Sequence, residues 1–304
     1  MTNIQYGKSI QKLILLVGIA AAVIFSNKYS ITFAEGQFPP DSVFKYLYNE
    51  NQVSGSYVEY AQKIKSKASD KGITFTIDEA LYDGNILNIS FIIQSNKAFD
   101  RTPAILGDSL LVNNKELAGS DGGSKSEALD SHTFIGLKSY LVNKNTLPQD
   151  LKVEYKARNI AGIDGSWSFK FNVTGANTMN KRKAYSPRAC ASIEGVNYKF
   201  NEVILTPVSS CLTISISFPD DRRNSDGGRL LKDFFLYDDK GNMLNPIGGR
   251  GSGENNDFSQ ELYFSNVKEV PDHLTVLPVD FLVQNGKPEQ VVKEALKFDI
   301  PLNN

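Results

Sequence analysis

A β-hairpin pattern that occurs twice is the feature that most constrains how this chain can fold. The first copy is KGITFTIDEALYDGNILNISFIIQ at residues 71–94, and a looser copy is EGVNYKFNEVILTPVSSCLTISISF at 194–218. In the first copy, apolar and polar residues alternate on both sides of an Asp-Gly pair, which readily adopts the positive φ of a hairpin turn. This alternation predicts a hairpin with one face towards water and one towards a core.

The order of the features that follow each hairpin is also repeated. SLLVNNKELAG at 109–119 corresponds to DFFLYDDKGNMLN at 233–245, an apolar strand followed by a polar turn. Each unit closes on an alternating strand, at 167–173 and at 296–302. About seven short strands in about 100 residues, without helical crossovers, are typical of an antiparallel sandwich. We therefore predict an all-β chain with two tandem immunoglobulin-like antiparallel β-sandwich domains.

The sandwiches follow an N-terminal apolar segment and a short helical region, which gives five predicted parts. These are a signal peptide or N-terminal membrane anchor at 1–34, a helical juxtamembrane segment at 35–68, the first sandwich at 69–176, a linker at 177–188, and the second sandwich at 189–304.

The apolar segment LILLVGIAAAVIFS at 13–26 contains no charge and follows two lysines. A helix of about 14 residues rises ~21 Å, which is short of the ~30 Å hydrocarbon core of a membrane. The short length and basic flank favour a signal peptide, and Thr32 and Ala34 have the small-residue spacing of a cleavage site. Retention as an anchor stays open, and both alternatives place residues 35–304 outside the cytoplasm.

Helical periodicity is predicted for residues 38–68. The apolar positions with this spacing are Val43, Phe44, Leu47, Tyr57, Tyr60, Ala61 and Ile64. Two interpretations follow: a helix that docks next to the membrane, or one whose apolar stripe covers the first domain, which we favour. A second helical pattern, PEQVVKEAL at 288–296, precedes the last strand.

The two cysteines, Cys190 and Cys211, would lie in a compartment that permits disulfides. If 195–205 pairs antiparallel with 211–218, the two residues are roughly 30 Å apart at about 3.3 Å per residue. A disulfide needs Cα atoms within about 7 Å. Two half-buried free thiols are therefore expected, and a bridge remains the alternative if the chain before Gly195 folds back.

Histidine is scarce, and His132 and His273 fall at equivalent places next to predicted strand starts. This placement favours surface strand edges over a catalytic role. Nucleophilic catalysis requires a base and an acid beside a serine or cysteine, and zinc requires about four nitrogen or sulfur ligands. Neither spacing occurs, so we predict no enzyme activity, no cofactor, and no catalytic, cofactor-binding or metal-ligating residue.

Aspartates cluster in two predicted turns: Asp220, Asp221 and Asp226 in the first, and Asp238 and Asp239 in the second. Neither cluster has the spacing of an EF-hand loop, which favours plain turns over loop-bound calcium at a domain edge. A cell-wall hydrolase would instead require an acid pair such as Asp220 with Asp238.

The formal net charge of −1 gives no electrostatic reason to expect nucleic acid as a partner. A basic run favours a solvated linker over an anionic-polymer patch, and it consists of Lys181, Arg182, Lys183 and Arg188.

The single tryptophan, Trp167, lies in a closing strand, which favours packing in a core or interface over a sugar platform.

Two glycine-rich stretches predict exposed loops in equivalent positions of the two units. Loops on a rigid scaffold commonly bind ligands. We therefore predict contact regions at 119–131 and 248–257.

The segments SVFKYL, KGITFTIDEALYDGNILNISFII and GSWSFKFNV resemble the uncharacterised extracytoplasmic domain of anti-sigma-factor-like membrane proteins of Gram-positive-type bacteria. The second unit is similar to the immunoglobulin-like domain that commonly follows it. The resemblance covers about residues 40–304 and supplies no functional residues. Only about twelve residues precede the apolar segment, and they contain no Cys or His, so direct sigma-factor binding is not expected.

Together these observations predict a non-enzymatic binding or sensing module at the bacterial cell envelope, either secreted or anchored to the membrane. Its partner would be an envelope protein or a cell-wall component, and 13–26 would contact the membrane if uncleaved. The alternative is a membrane-anchored regulator related to anti-sigma factors that acts through a partner protein.

Overall fold

A computed structural model of the chain describes residues 41–47, 56–117, 121–142, 147–219, 233–254, 256–284, 287–292 and 294–302. Strands dominate these residues. The first unit contains α1 (Val43–Leu47), α2 (Ser56–Tyr60), β1 (Gln62–Asp70), β2 (Ile73–Tyr82), β3 (Ile86–Ser95), β4 (Ile105–Leu106), β5 (Ser109–Val112), β6 (Lys115–Glu116), β7 (Asp121–Ala128), β8 (Thr133–Leu141), β9 (Asp150–Ile160) and β10 (Ile163–Thr174).

A short helix, α3 (Ala176–Met179), leads into the second unit. That unit contains β11 (Lys183–Tyr185), β12 (Ala189–Ile193), β13 (Val196–Leu205), β14 (Ser209–Ser217), β15 (Asp233–Tyr237), β16 (Met243–Leu244), β17 (Pro246–Glu254), β18 (Asp257–Ser265), β19 (His273–Gln284), β20 (Lys287–Val292), a 3-10 turn (Glu294–Leu296) and β21 (Phe298–Pro301).

Each unit is a sandwich of two antiparallel sheets, as the sequence predicts. Sheet A has the order β1-β2-β3-β8-β7 and faces sheet B, β10-β9-β5-β6. Sheet C has the order β11-β13-β14-β18-β17 and faces sheet D, β16-β15-β19-β20. The orders correspond strand by strand: β2-β3-β8-β7 in the first unit matches β13-β14-β18-β17 in the second, and β9-β5-β6 matches β19-β15-β16. The repeat in the sequence is therefore a repeat of topology.

Each sandwich has its own apolar core. In the first, Trp167 is fully buried, and its indole N–H donates a 3.1 Å hydrogen bond to the carbonyl of Ile73. The rings of Phe75 and Phe169 pack edge to face with centroids 5.2 Å apart. The second core includes residues of β12, β13, β14, β15, β16, β18, β19 and β21, with Phe200 and Phe234 among its members. Trp167 is thus a core residue, as the packing interpretation predicts.

The hairpin turn is as predicted, but the prediction of one wet face is wrong. Tyr82 lies opposite Leu87, and Gly84 has a φ of 91° at the turn. Almost every residue of β2 and of β3 is buried, on both faces of the sheet. Asp78 and Glu79 of β2 are covered by α1 and form hydrogen bonds there, whereas the buried Nδ2 atom of Asn88 in β3 has no partner among the described residues.

The helical segment predicted at 35–68 needs correction. Within its described residues, helix is confined to α1 and α2, and Gln62–Asp70 forms strand β1, in which half-buried and exposed residues alternate. The spacing of four between Tyr60 and Ile64 fits a helix, but it also fits a strand, because four is a multiple of the strand period of two. Pairing with β2 decides between them.

Two further expectations are corrected near the second unit. PEQVVKEAL at 288–296 does not form an α-helix, because Lys287–Val292 pairs with β19 and is followed only by a 3-10 turn. Within the predicted linker at 177–188, Lys183–Tyr185 pairs with β13 and so belongs to sheet C.

The glycine-rich stretches predicted as loops at 119–131 and 248–257 are mainly strands, β7 and β17. In β17, a Cβ atom on Gly251 or Gly253 would lie 2.5 Å from the ring of Phe258. The glycines therefore leave room for an aromatic ring beside the strand.

None of the helices in the described part of the chain is long and apolar enough to cross a membrane. The apolar segment 13–26 and the predicted cleavage site lie outside the described residues.

Candidate functional site: the covered face of sheet A

The outer face of sheet A, which points away from the first core, is covered in two adjacent areas. One area is covered by α1 and α2, and its sheet residues are Leu81, Ile92, Ile135 and Leu137. The other is covered by sheet C of the second sandwich, and its sheet residues are Ile86 and Leu141. We call this surface the covered face.

Helix α1 lies on the covered face through its apolar side. Val43 and Phe44 are fully buried, and Leu47 is nearly so. Tyr57 of α2 packs on Phe44 with ring centroids 6.0 Å apart. Val208 of the second sandwich joins the same cluster. The apolar stripe therefore covers the first domain, which is the interpretation that the sequence analysis favours.

Two adjacent carboxylates hold the start of α1. The amide of Val43 donates to Oδ2 of Asp78 at 3.1 Å, and the amide of Phe44 donates to Oε2 of Glu79 at 3.2 Å. The hydroxyl of Ser42 donates to the same Glu79 oxygen at 2.9 Å. A bulge in β2 between Ile77 and Glu79 shifts the register and places two consecutive acids beside the helix. They satisfy backbone donors that a helix start leaves unpaired.

Lysines complete the attachment at both ends of α1. Lys65 donates to Oδ1 of Asp78 at 2.5 Å, and Lys125 of β7 donates to the carbonyl of Leu47 at 3.0 Å. The hydroxyl of Tyr46 donates to Glu127 at 3.4 Å, and burial, with the Glu127 charge, raises the pKa of Tyr46 to about 12. A five-residue helix is thus fixed at its start, its side and its end.

Burial raises the pKa of Glu79, and the nearby Asp78 charge also contributes, against the lowering effect of its hydrogen bonds. A carboxyl with a raised folded-state pKa stabilises the folded state at low pH, and this stabilisation is lost as the pH rises through that pKa. The buried site beneath α1 is therefore expected to stabilise the fold less once Glu79 ionises.

Glu79→Gln is expected to slow hydrogen exchange of the α1 amides at pH 7.5, because a neutral side chain keeps an acceptor without the cost of a buried charge. Glu79→Ala is the matched control and should accelerate exchange, since it leaves the Phe44 amide without its acceptor. Faster exchange in Glu79→Gln than in the unmodified protein would contradict this account.

The turns of the two repeated hairpins meet at the domain junction. Asp83, in the first turn, is fully buried, and its Oδ1 accepts the amides of Asn85 at 2.9 Å and Ile86 at 2.8 Å. Its Oδ2 accepts the hydroxyls of Thr206 and Ser209 from the second turn, each at 2.6 Å. One carboxylate therefore shapes its own turn and binds the other sandwich.

Further contacts surround this carboxylate. The Asn85 amide donates to the Ser209 hydroxyl at 3.1 Å. The hydroxyl of Tyr263 of β18 donates to Glu261 at 2.7 Å, and its oxygen lies 3.2 Å from the carbonyl oxygen of Val142 in the first sandwich, so the single proton is shared between two acceptors. Burial raises the pKa of Tyr263, so its hydroxyl remains a donor at neutral pH. Cys211 lies in the same apolar cluster.

The cysteines and histidines are dispersed. Both cysteines are free thiols, as expected, but neither is half-buried: Cys190 is exposed and Cys211 is buried. The chain before Gly195 does fold back, because β12 pairs with β13, but Cys190 lies opposite Lys199 and Cys211 lies opposite Ile204, so the two are not brought together. His132 is exposed just before β8. His273 begins β19, with its Nε2 atom 3.8 Å from Asp299. Both histidines thus lie at strand starts.

The turn aspartates have structural contacts where they are described, and so does Lys181 of the basic run. Oδ1 of Asp238 accepts the amides of Lys240 and Asn242, so it stabilises a turn. Oδ2 of Asp239 accepts the amide of Asp272. Asp220, Asp221 and Asp226 lie outside the described residues, so the acid pair of Asp220 with Asp238 is not placed. In the basic run, Lys181 donates to the Tyr60 hydroxyl at 2.5 Å.

The residues that build the covered face were not singled out from the sequence. Asp78, Glu79 and Asp83 look like polar positions of a hairpin and its turn. One feature of the sequence could have indicated this site: Asp78 and Glu79 are two adjacent acids that interrupt the alternation of the strand, as happens at a β-bulge.

The comparisons with known proteins give families without an assigned function. Residues 182–303 match the model of a family of unknown function, DUF5643, and residues 6–95 match that of a domain of unknown function, DUF4179. No curated protein matches the chain. The match to DUF4179 ends with β3, and the match to DUF5643 begins one residue before β11.

A crystal structure described as the conserved domain protein from Bacillus anthracis has a similar fold. It is 19% identical, with a TM-score of 0.67, and the similarity covers 87% of this chain and all of that one. The N-terminal periplasmic domain of ScsB from Proteus mirabilis is 11% identical over 80% of this chain, but its TM-score of 0.20 supports no argument. The chain therefore has a fold of two β-sandwiches, and it matches the models of two families of unknown function.

Proposed function

We propose that this chain is a non-enzymatic binding or sensing module outside the cytoplasm, at the bacterial cell envelope. The observation that carries the proposal is the docking of α1. This helix is the first described element after the apolar segment 13–26, and its cluster includes residues of both sandwiches. A displacement of α1, which follows the apolar segment, would therefore be transmitted to both sandwiches.

The remaining surface agrees with a binding role. The covered face is occupied by the chain itself, so contacts with a partner fall on strand edges and loops. The predicted contact regions at 119–131 and 248–257 contain the edge strands β7 and β17. An edge strand offers backbone donors and acceptors to an extended partner. An envelope protein or a cell-wall component would be bound there.

The location is tested in intact cells that express the full chain with a C-terminal epitope. Protease added to protoplasts is expected to remove the epitope without lysis, because the sandwiches lie outside. A variant lacking residues 1–34 is the matched control and should stay protected until lysis. Protection of the full chain until lysis would contradict the proposal.

The second candidate is a membrane-anchored regulator related to anti-sigma factors, acting through a partner protein. It is favoured by the match of residues 6–95, because DUF4179 is known in anti-sigma-factor-like proteins and the match spans both the apolar segment and α1. The mature N-terminus separates the two candidates. A start at Glu35 in the medium rules out the anchored regulator, whereas a start at Met1 in the membrane fraction rules out free secretion.

A further inference from the structure

Strand β17 is the least protected of the long edge strands in the described residues. β1 contains three lysines and a bulge, and β10 lies against β1, with the Ser166 amide bonded to Asp70. β7 has a bulge and contributes Lys125 to the end of α1. Lysines, bulges and covering segments are the usual means of preventing edge-to-edge pairing. β17 also has a proline and a bulge at its start, and Gly248 lies against Gly122 of β7, so its first residues are protected. From Arg250 to Glu254, however, it has no lysine, its register with β18 is regular, and residues 251–254 are exposed.

The charges along β17 are self-complementary. If two copies of β17 pair antiparallel about Ser252, each Ser252 lies opposite itself, and Arg250 of one copy lies opposite Glu254 of the other. Residues directly opposite each other have Cβ atoms about 4.5–5.5 Å apart, and opposite charges there are favourable. Residues 251–254 are exposed, and the side chain of Glu254 has no hydrogen bond or ion pair within the part of the chain described.

Arg250 is held on the face of sheet C that would also carry Glu254 of a second copy. Its Nε and Nη2 atoms donate to Oε2 of Glu261 on the neighbouring strand, with Nε at 2.6 Å, and its guanidinium lies 5.9 Å from the centre of the Tyr263 ring. Nη1 remains available for a second carboxylate, because a guanidinium has five N–H donors. A second copy would complete a ladder of Glu261, Arg250 and Glu254 across three strands.

We propose that β17 pairs with β17 of a second copy of this chain, extending sheet C into one continuous sheet across a two-fold axis at Ser252. The interface is isologous, as in most homodimers. This interaction goes beyond the proposed function, because it requires neither the membrane nor an envelope ligand. It uses the β17 edge, so an extended partner would compete with the second copy there.

The test uses the full chain in whole cells, with Cys190→Ser as the background so that the exposed native thiol is absent. Added to this background, Ser252→Cys places two thiols opposite each other, within the Cα separation of about 4.4–6.8 Å that a disulfide needs. Mild oxidation is expected to give a covalent dimer on a non-reducing gel. Ser126→Cys, on the exposed edge strand β7, is the matched control and should stay monomeric.

A charge reversal then tests the register. Glu254→Lys places like charges opposite each other, and it is expected to reduce the cross-linked fraction of Ser252→Cys by about tenfold or more. Glu116→Lys changes the net charge equally at an exposed site away from β17 and should leave cross-linking unchanged. The proposal is overturned if Ser252→Cys cross-links no better than Ser126→Cys, or if Glu254→Lys has no more effect than Glu116→Lys at equal protein levels.

Discussion

Asp83→Ala is expected to lower the free energy of unfolding by about 3 to 5 kcal/mol. The substitution removes the acceptor of four hydrogen bonds, two from its own turn and two from the hydroxyls of Thr206 and Ser209. These donors are buried, so water does not simply replace the carboxylate. Urea unfolding at pH 7.5 measures the change.

A double-mutant cycle separates the contact between domains from the turn. Ser209→Ala removes one hydroxyl from Asp83, and a coupling energy of about 1 to 2 kcal/mol is expected between the two substitutions. Additive effects would mean that Asp83 stabilises only its own turn. Ser217→Ala is the control substitution. The Ser217 hydroxyl lies at the far end of β14 from Ser209 and donates to the exposed Asp257 of β18, so its removal should show no coupling with Asp83.

Trp167→Ala is expected to destabilise the first sandwich by about 3 to 5 kcal/mol, because it leaves a cavity in a close-packed core and removes the donor to Ile73. Trp167→Phe is the matched control: it keeps most of the volume, and a cost of about 1 to 2 kcal/mol is expected. The midpoint of chemical unfolding measures both changes. If Trp167→Ala unfolded at the same denaturant concentration as the unmodified chain, the core assignment would be contradicted.

The tandem sandwiches could be predicted because each strand has a local pattern and because the chain contains two copies of it. The turn at Gly84 and the pairing of β13 with β14 depend on residues that are close in sequence, where spacing is informative. The same local signal failed at Ile64, because a spacing of four fits both periods and only pairing with β2 decides between them.

The covered face could not be predicted because its contacts join distant parts of the chain. Asp83 and Thr206 are 123 residues apart, and the amide of Phe44 bonds to Glu79 from 35 residues away. In a single sequence, a polar residue that faces water and one that bonds to another domain give the same alternation. Burial of the whole hairpin became evident only when α1 and the second sandwich were seen to cover it.

The two sandwiches form one unit across the covered face, and the native thiols provide a direct test of this contact. Cys190 is exposed, whereas Cys211 lies in the apolar cluster with Ile86 and Leu141 of the first sandwich. Labelling of the folded protein with a thiol reagent is expected to modify Cys190 rapidly and to leave Cys211 protected until denaturant is added. In Asp83→Ala, modification of Cys211 should become faster. Equally rapid modification of both thiols in the folded, unmodified protein would contradict the account.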